Sequence, residues 1–325
     1  MTAPGPTRLS TRVLDRWQHF WFAEIPPHQF ALLRIIFGLL GLTGLLGLTP
    51  ISTFWSLDGL VPLSGATEPK TWLLSSNLGT TAGLIFFSGL MVCFVCMTAG
   101  CLTRVAVGAC FLGSVFQSHW NPLPLSAGHQ VVIAILFCLL WVECGEVWSF
   151  DARLQARRAR LGGASIAPAA QPVWPLRLIR IQVALIYLSS GLWKLLFSPV
   201  WRDGSAMQLV LEQNVFTRLS VALSPVVDPF LTALTYFTLF WEIGFAALLL
   251  HRWTRRLTLL TGVALHLGMW ISLEIGLFSW IMIASYLAFL QPEQVCNFFR
   301  VRRKGDSTTQ TCKANERGFT PIIQT

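Results

Sequence analysis

Lys194 is the residue of this sequence whose type and surroundings best suit acid–base chemistry. It lies in the segment IYLSSGLWKLLFSPVW, with tryptophan before it and leucines after it. An ammonium group in such surroundings is poorly hydrated, which favours loss of its proton and makes a neutral amine available as a base. Gly191 and the two serines before it are small enough to let another helix or a ligand approach closely. The alternative is a lysine whose ammonium extends to water, and this pattern leaves both interpretations open.

Three further ionisable residues lie in apolar runs and could take part in the same chemistry. His129 begins one run, and Glu242 and His266 lie within two others. A single buried histidine is more often a hydrogen-bonded core residue than a base, and we expect Glu242 to be a buried carboxyl bonded to a neighbouring helix. The sequence contains no Walker A or HExxH motif. We expect no metal either, because the cysteines within 93–101 have no histidine or second cysteine pair nearby.

The elements that must position these residues are hydrophobic helices. Apolar residues make up 54% of the chain and charged residues only 12%, well below the charged fraction of ordinary soluble domains. Apolar runs near the length needed to cross a bilayer recur at about 28–48, 82–99, 104–120, 129–144, 178–198, 230–250, 257–273 and 277–291. The sequence therefore predicts an all-α fold, a polytopic transmembrane helical bundle of about eight spans.

The distribution of charge predicts the orientation of these spans. The net charge is +9, and 19 of the 24 lysines and arginines fall on one side if the N-terminus is cytoplasmic. The opposite segments contain only Lys70, Arg202 and Arg218. Because basic residues concentrate in cytoplasmic loops, both termini are predicted to be cytoplasmic. This placement explains the charge without nucleic acid, since no basic cluster alternates with aromatic residues on a polar scaffold.

This orientation places the candidate residues at different depths in the membrane. Lys194 and His129 fall in its outer half, whereas Glu242 and His266 lie nearer the middle. Arg34 lies about two turns into the first span, and we expect its guanidinium to extend to the inner surface.

The chain is predicted to have three parts. Residues 1–27 alternate apolar and basic residues at helical spacing, which is typical of an amphipathic helix lying on an anionic cytoplasmic leaflet. Residues 28–292 contain the spans, and residues 293–325 form a basic cytoplasmic tail.

Three of the connections between the spans are long. We expect segments 49–81 and 200–229, which are half apolar, to form short helices on the outer surface. The inner loop at about 152–176 is rich in Ala, Gly, Pro and Arg, and we expect it to be mobile.

Four sequence segments, which follow one another across most of the chain, contain recognisable patterns. FALLRIIFG contains Arg34, and GHQVVIAILFCLLWVECGEVWSFDARL ends in a Ser-x-Asp element, Ser149 and Asp151. RIQVALIYLSSGLWKLLFSPVWRDGSAM follows a Gln–Tyr–Gly–Lys–Trp–Gly pattern, and HLGMWISLEIGLFSWIMIASYLAFL is a closing pair of helices. From about residue 30 to residue 292, this series resembles the HTTM domain, the membrane domain shared by vitamin K-dependent gamma-carboxylases and many bacterial homologues.

The resemblance implies a role for each candidate. In the carboxylases the lysine that falls on Lys194 is taken to deprotonate reduced vitamin K, and the anion reacts with oxygen to give a strong base. That base removes a proton from a glutamate side chain, to which carbon dioxide adds. A histidine at the start of the preceding helix, matching His129, supports this chemistry. The candidate pocket is completed by Tyr187, Gly191, Trp201, Glu242 and His266.

The resemblance also implies ligands, partners and location. The cofactor would be a reduced vitamin K or menaquinone-type quinol entering from the bilayer, and the enzyme class would be that of carbon–carbon lyases and carboxylases. The partners would be membrane lipids and a secreted peptide or protein. The carboxylases carry a large extracytoplasmic domain after the membrane domain, whereas residues 293–325 here are short and basic, so we expect a partner to supply peptide recognition. The expected location is a bacterial inner (plasma) membrane, with several spans.

A second hypothesis is a non-catalytic lipid- or peptide-binding membrane protein that assists maturation or export of a secreted partner. It needs the outer-surface helices but no ionisable centre, so Lys194→Ala separates it from the enzyme. A transporter is a third hypothesis, disfavoured by the few charges within the spans and by the absence of an inverted repeat of broken helices.

Overall fold

Helices make up most of the described chain. The structure is a computed structural model that describes residues 8–49, 79–120, 125–213, 217–219, 227–292 and 295. In chain order the elements are α1 (Arg8–Phe22), β1 (Glu24–Ile25), α2 (His28–Leu46), α3 (Gly79–Ala99), α4 (Thr103–Trp120), α5 (Ala127–Leu139), α6 (Phe150–Leu161), β2 (Gln171–Pro172), α7 (Trp174–Phe197), α8 (Pro199–Arg202), α9 (Ala206–Glu212), α10 (Val227–Leu248), α11 (Arg252–Ser272), α12 (Phe278–Ser285) and a 3-10 helix (Tyr286–Phe289).

Three of the described helices, α2, α7 and α10, are long and apolar enough to cross a membrane. The other predicted spans also fall on helices; some of these are short, and α5, for example, has only 13 residues. A helix satisfies its own main-chain hydrogen bonds, which is why apolar segments of this length fold as helices in lipid. The prediction of a helical fold that contains helices able to cross a membrane is therefore confirmed.

The first of two structural units comprises Met1–Pro122, Ile135–Leu178 and Leu287–Thr325. Within it, α2 and α3 pack closely because two glycines of α2 carry no side chain. A Cβ on Gly38 would lie 3.2 Å from the Cα of Thr98, and one on Gly41 would overlap the ring of Phe94. The first turn of α2 is also anchored, because the side-chain amide of Gln29 donates to carbonyl oxygens just after α12, including that of Leu287 at 2.8 Å.

A two-stranded antiparallel sheet joins distant parts of this unit. Glu24 of β1 pairs with Pro172 of β2, and Ile25 pairs with the buried Gln171. The side-chain oxygen of Gln171 accepts a hydrogen bond of 2.8 Å from the main-chain N–H of Glu143. Since β1 immediately precedes α2 and β2 immediately precedes α7, the sheet brings the first turns of these two helices together.

The second unit comprises Leu123–Ala134 and Ile179–Tyr286. Its helices also meet at glycines. A Cβ on Gly262 of α11 would lie 2.8 Å from the Cζ of Tyr286 and 2.9 Å from the Cζ2 of Trp241. A Cβ on Gly191 of α7 would lie 2.8 Å from the Cγ1 of Ile243 in α10, so the close helix approach expected at Gly191 is confirmed.

The connection between α5 and α7 differs from the prediction. Over residues 152–161 the expectation of a mobile loop is wrong, because these residues belong to α6. Ser149 caps this helix: its backbone is extended and its hydroxyl accepts a hydrogen bond of 2.9 Å from the N–H of Ala152. The alanines and arginines that follow favour helix, and this local preference outweighs the loop-like composition of the whole segment.

Other predicted connections are described only in part. Within 200–229, α8 and α9 are short helices, as expected. The segment 49–81 falls almost wholly outside the described residues, as does the tail after residue 292.

Candidate functional site

Lys194 lies in the last turn of α7, and its ammonium contacts a carboxylate and an aromatic ring. Its Nζ donates a hydrogen bond of 2.6 Å to Oε1 of Glu242 in α10. It also lies 4.3 Å from the ring centroid of Trp201, which places it within range for a cation–π interaction. The side chains of Lys194 and Glu242 are 19% and 11% exposed. The ammonium is therefore paired between helices instead of extending to water, and Glu242 is bonded to a neighbouring helix as expected.

Gly191 makes this ion pair possible. It lies about one turn before Lys194, and its missing side chain lets α10 approach until a Cβ there would be only 3.1 Å from the Cβ of Glu242. A poorly solvated ion pair needs such close and well-defined geometry, because the attraction must offset the loss of hydration of both groups.

A buried hydrogen-bonded trio is centred on Tyr187, about two turns before Lys194 on α7. The hydroxyl of Tyr187 is 2.6 Å from Nε2 of His266 in α11 and 2.5 Å from the hydroxyl of Tyr286. The rings of Trp241 and Phe245 pack on Tyr187, with centroids 4.9 Å and 4.4 Å away. Because hydroxyl and imidazole groups can both donate and accept, a proton could pass along this trio.

The trio and the ion pair face the same helix contact. Tyr187 and Lys194 are seven residues apart on α7, which places them on one face at a separation of roughly 10 Å along the axis. On α10, Glu242 directly follows Trp241, which packs on Tyr187. The ion pair and the trio therefore lie about two turns apart on α7, and adjacent residues of α10 contact both.

Several polar atoms around this contact have no hydrogen-bond partner among the described residues. They are Oε2 of Glu242, Nδ1 of His266 and Nε1 of Trp241, and all are buried. Leaving such an atom unpartnered costs about 1–3 kcal/mol, so these atoms are suited to binding a polar group of a ligand. In the described part of the chain, no group of three metal-ligating side chains is close enough to hold a metal ion.

Comparison with known protein families shows which family the chain belongs to. The family profile for the HTTM domain matches residues 22–293. The chain belongs to the HTTM domain family. No solved structure matches it. In this HTTM protein the match includes every helix from α2 to α12, and hence Lys194, its partners and the trio.

The other predicted catalytic residue of this HTTM protein, His129, lies in the first turn of α5 and is half-buried. A Cβ on the preceding Gly128 would lie 2.9 Å from the Cδ1 of Ile281 and 3.3 Å from the Cα of Phe278, so this turn packs on the start of α12. The ring of Phe278 is in turn 5.8 Å from the imidazole of His266. The start of α5 is thus linked to the trio through α12.

Tyr286 is a member of the trio that the sequence interpretation missed. The chain contains only three tyrosines, although phenylalanine and tryptophan are abundant. Where apolar aromatics are so strongly preferred, a tyrosine in an apolar segment indicates a hydroxyl with a specific partner. That indication could have found Tyr286 alongside Tyr187.

The expectation for Arg34 is wrong. Its side chain is fully buried instead of reaching the inner surface. Its Nη1 donates to the carbonyl oxygen of Met97 at 3.2 Å, and its Nη2 donates to that of Trp148 at 2.7 Å. Gly100, with a φ of +74°, leaves the room that this requires, because a Cβ there would overlap the guanidinium. Main-chain carbonyls at the end of α3 and before α6 therefore take the place of solvent.

The Ser-x-Asp element completes this arrangement. The carboxylate of Asp151 accepts hydrogen bonds from the N–H groups of Leu102 and Thr103, at 3.0 Å and 2.7 Å, and from the Thr103 hydroxyl at 2.7 Å. Burial works to raise the pKa of Asp151, but these three bonds outweigh it and hold the pKa below its usual value. Leu102 and Trp148 have left-handed φ angles of +47° and +52°. The hydrogen bond that Leu102 donates to Asp151 and the one that Trp148 accepts from Arg34 hold these strained residues in place.

Proposed function

We propose that this HTTM protein is a multi-pass protein of a bacterial inner membrane that binds a reduced quinone and accepts its proton at Lys194 and Glu242. The observation that carries the proposal is the 2.6 Å ion pair between these residues, made between two helices that are apolar enough to cross a membrane. Charged groups at membrane depth are expensive, and they are most often retained where they act on a ligand or a proton. About eight spans with cytoplasmic termini are proposed on the distribution of basic residues.

The chemical character of the site suits a quinol. A quinol has a flat ring, a hydroxyl at each end and, in membranes, an apolar isoprenoid tail. The rings of Tyr187, Trp241 and Phe245 offer aromatic packing, and the unpartnered atoms of Trp241, Glu242 and His266 offer polar contacts. Such a combination of apolar walls with a few polar groups is typical of small-molecule sites.

The ion pair can accept a proton although both of its members are charged. An ammonium facing a carboxylate has no net charge. When a proton from an acidic hydroxyl enters the pair, the carboxylate becomes an acid and the pair gains a charge of +1. That charge stabilises an anion held beside it, and Trp201 keeps the ammonium in position. Lys194 thus acts with Glu242, and His129 is proposed to support the step from the start of α5.

The proposed reaction is that of the carboxylases. When bound, the reduced quinone would supply the oxygen-dependent base that removes a proton from a glutamate side chain before carbon dioxide adds. The glutamate would belong to a secreted peptide or protein, and a partner would present it. The trio of Tyr187, His266 and Tyr286 is proposed to carry protons between the site and its surroundings.

Mass spectrometry of lipids extracted from the intact purified protein tests ligand binding. We expect a menaquinone-type molecule with the wild-type protein and at least a roughly ten-fold loss of it with Lys194→Ala, as for removal of a buried charged contact. Lys194→Arg is the matched control: it keeps a cation beside Glu242 and should therefore retain the ligand. Wild-type protein that copurifies with no quinone would contradict the proposal.

One observation favours the non-catalytic alternative, a lipid- or peptide-binding membrane protein that assists a secreted partner. Lys194 and Glu242 already neutralise each other, so the pair could serve only to join α7 to α10. In that case Lys194→Met combined with Glu242→Leu would keep full function in cells. Under the enzymatic proposal the same double variant is inactive even where it folds normally.

A further inference from the structure

Helix α6 presents an unusual outer face, formed by apolar residues and arginines together. Phe150, Leu154 and Leu161 are 56%, 48% and 82% exposed. Their spacing of four and seven residues places them on one side of the helix. Arg157 lies on the same side, and the exposed residues Arg153, Arg158 and Arg160 flank it. The opposite side consists of half-buried alanines, so the helix rests on the protein through its small residues.

The position of α6 relates this face to a membrane surface. The ring of Trp148, two residues before α6, packs against His28, the first residue of α2, with centroids 5.3 Å apart. Helix α2 is one of the helices able to cross a membrane, so its first residue marks a surface of the bilayer. The β1–β2 sheet places the start of α7, another such helix, beside the start of α2. Helix α6 therefore begins where two membrane-crossing helices begin.

The acidic residue of α6 does not oppose this charge. The carboxylate of Asp151 is occupied by Leu102 and Thr103, while the guanidinium of Arg153 stands over the ring of Phe150 at 5.6 Å. An exposed apolar stripe flanked by arginines is the pattern of helices that lie in the interface of a membrane with anionic lipids. Each arginine near such a surface strengthens binding by roughly five-fold.

We infer that α6 is a docking surface for anionic phospholipid headgroups of the membrane that contains the protein. Phe150, Leu154 and Leu161 enter the boundary between headgroups and acyl chains, and the arginines contact phosphates. The helix thereby anchors the connection between α5 and α7 to the bilayer. This role is independent of any chemistry at Lys194.

Hydrogen exchange of the full-length protein in lipid nanodiscs tests the inference. The amides of residues 153–161 are compared in phosphatidylcholine alone and in a mixture with phosphatidylglycerol. We expect exchange about ten-fold slower in the anionic mixture, because docking suppresses local opening of the helix. The triple variant R153Q/R157Q/R160Q should lose this lipid dependence. The matched variant R153K/R157K/R160K should keep it, because a leaflet attracts charge regardless of guanidinium geometry.

The amides of α2 report in every variant whether the fold is intact, so a folding defect is recognised separately. Equal exchange of α6 in the two lipid compositions would overturn the inference, as would a lipid dependence that persists in the glutamine variant. Exchange that does not respond to lipid but slows as the protein is concentrated in detergent would assign this face to a second copy of the chain instead.

Discussion

Arg34 and Lys194 are both cations within apolar helices, and the structure neutralises them in different ways. The partners of Arg34 are main-chain carbonyls, which do not titrate, and a guanidinium keeps its proton in proteins. The partner of Lys194 is the carboxylate of Glu242, so that pair consists of two ionisable side chains. A buried charge is therefore not by itself a sign of chemistry. The chemical type of the partner, a main-chain carbonyl or an ionisable side chain, distinguishes a structural cation from a candidate catalytic one.

The largest effect on stability is expected for Arg34, the structural cation of the two. Arg34→Ala removes a charged donor from the carbonyls of Met97 and Trp148 and leaves a cavity beside Gly100, and should lower the free energy of unfolding by about 3–5 kcal/mol. Arg218→Ala removes an arginine whose ion pair with Glu274 is exposed, and should change stability by less than about 1 kcal/mol. Thermal unfolding in detergent, followed by tryptophan fluorescence, measures both. Comparable losses for the two variants would refute the structural role of Arg34.

A double-mutant cycle tests the ion pair between Lys194 and Glu242. Lys194→Met or Glu242→Leu alone strands one charge among apolar helices and should cost about 3 kcal/mol. The double variant replaces both charges by apolar groups and should return to within about 1 kcal/mol of the wild type. The measurement is again thermal unfolding, with quinone content determined on the same samples. Additive losses would mean that the two side chains do not stabilise each other.

Gly191→Ala tests whether helix spacing holds the ion pair together. A Cβ there would lie 3.0 Å from the main-chain nitrogen of Ile243, which cannot move without shifting α10, so we expect a loss of about 1–3 kcal/mol. Gly268→Ala in α11 is the matched control, because nothing lies within 4 Å of its added Cβ. That control should be neutral or stabilising by about 0.5–1 kcal/mol, as for other glycines within helices. A harmless Gly191→Ala would show that the close approach is not required.

The smallest effect is expected for the contribution of Asp151 to stability, which depends on pH. Because its pKa is lowered on folding, its charged form stabilises the fold above the usual aspartate pKa, and this contribution disappears as the pH falls through the lowered value. Thr103→Val removes one of the three hydrogen bonds, at a cost of about 1 kcal/mol near neutral pH and less in acid. Thr103→Ser keeps the hydroxyl and should keep the wild-type profile of melting temperature against pH. Identical profiles for the valine variant and the wild type would contradict this account.

The sequence by itself determined the helical fold, because runs of apolar residues near the length of a bilayer crossing can satisfy their main chain in lipid only as helices. It also singled out Lys194, Gly191 and Glu242, since a charge or a missing side chain within an apolar run is visible without a structure. These are local properties of the chain.

Only the tertiary structure determined which residues bond to Arg34 and Tyr187. Arg34 bonds to residues 63 and 114 positions away, and Tyr187 bonds to residues 79 and 99 positions away. A helix that is apolar on every side, such as α2, has no polar face to show which side meets a neighbour. The pattern of the sequence therefore could not tell that Arg34 turns into the protein, or that Tyr286 completes the trio. Close packing at Gly100, Gly191 and Gly262 selects those contacts, and it exists only once the helices have come together.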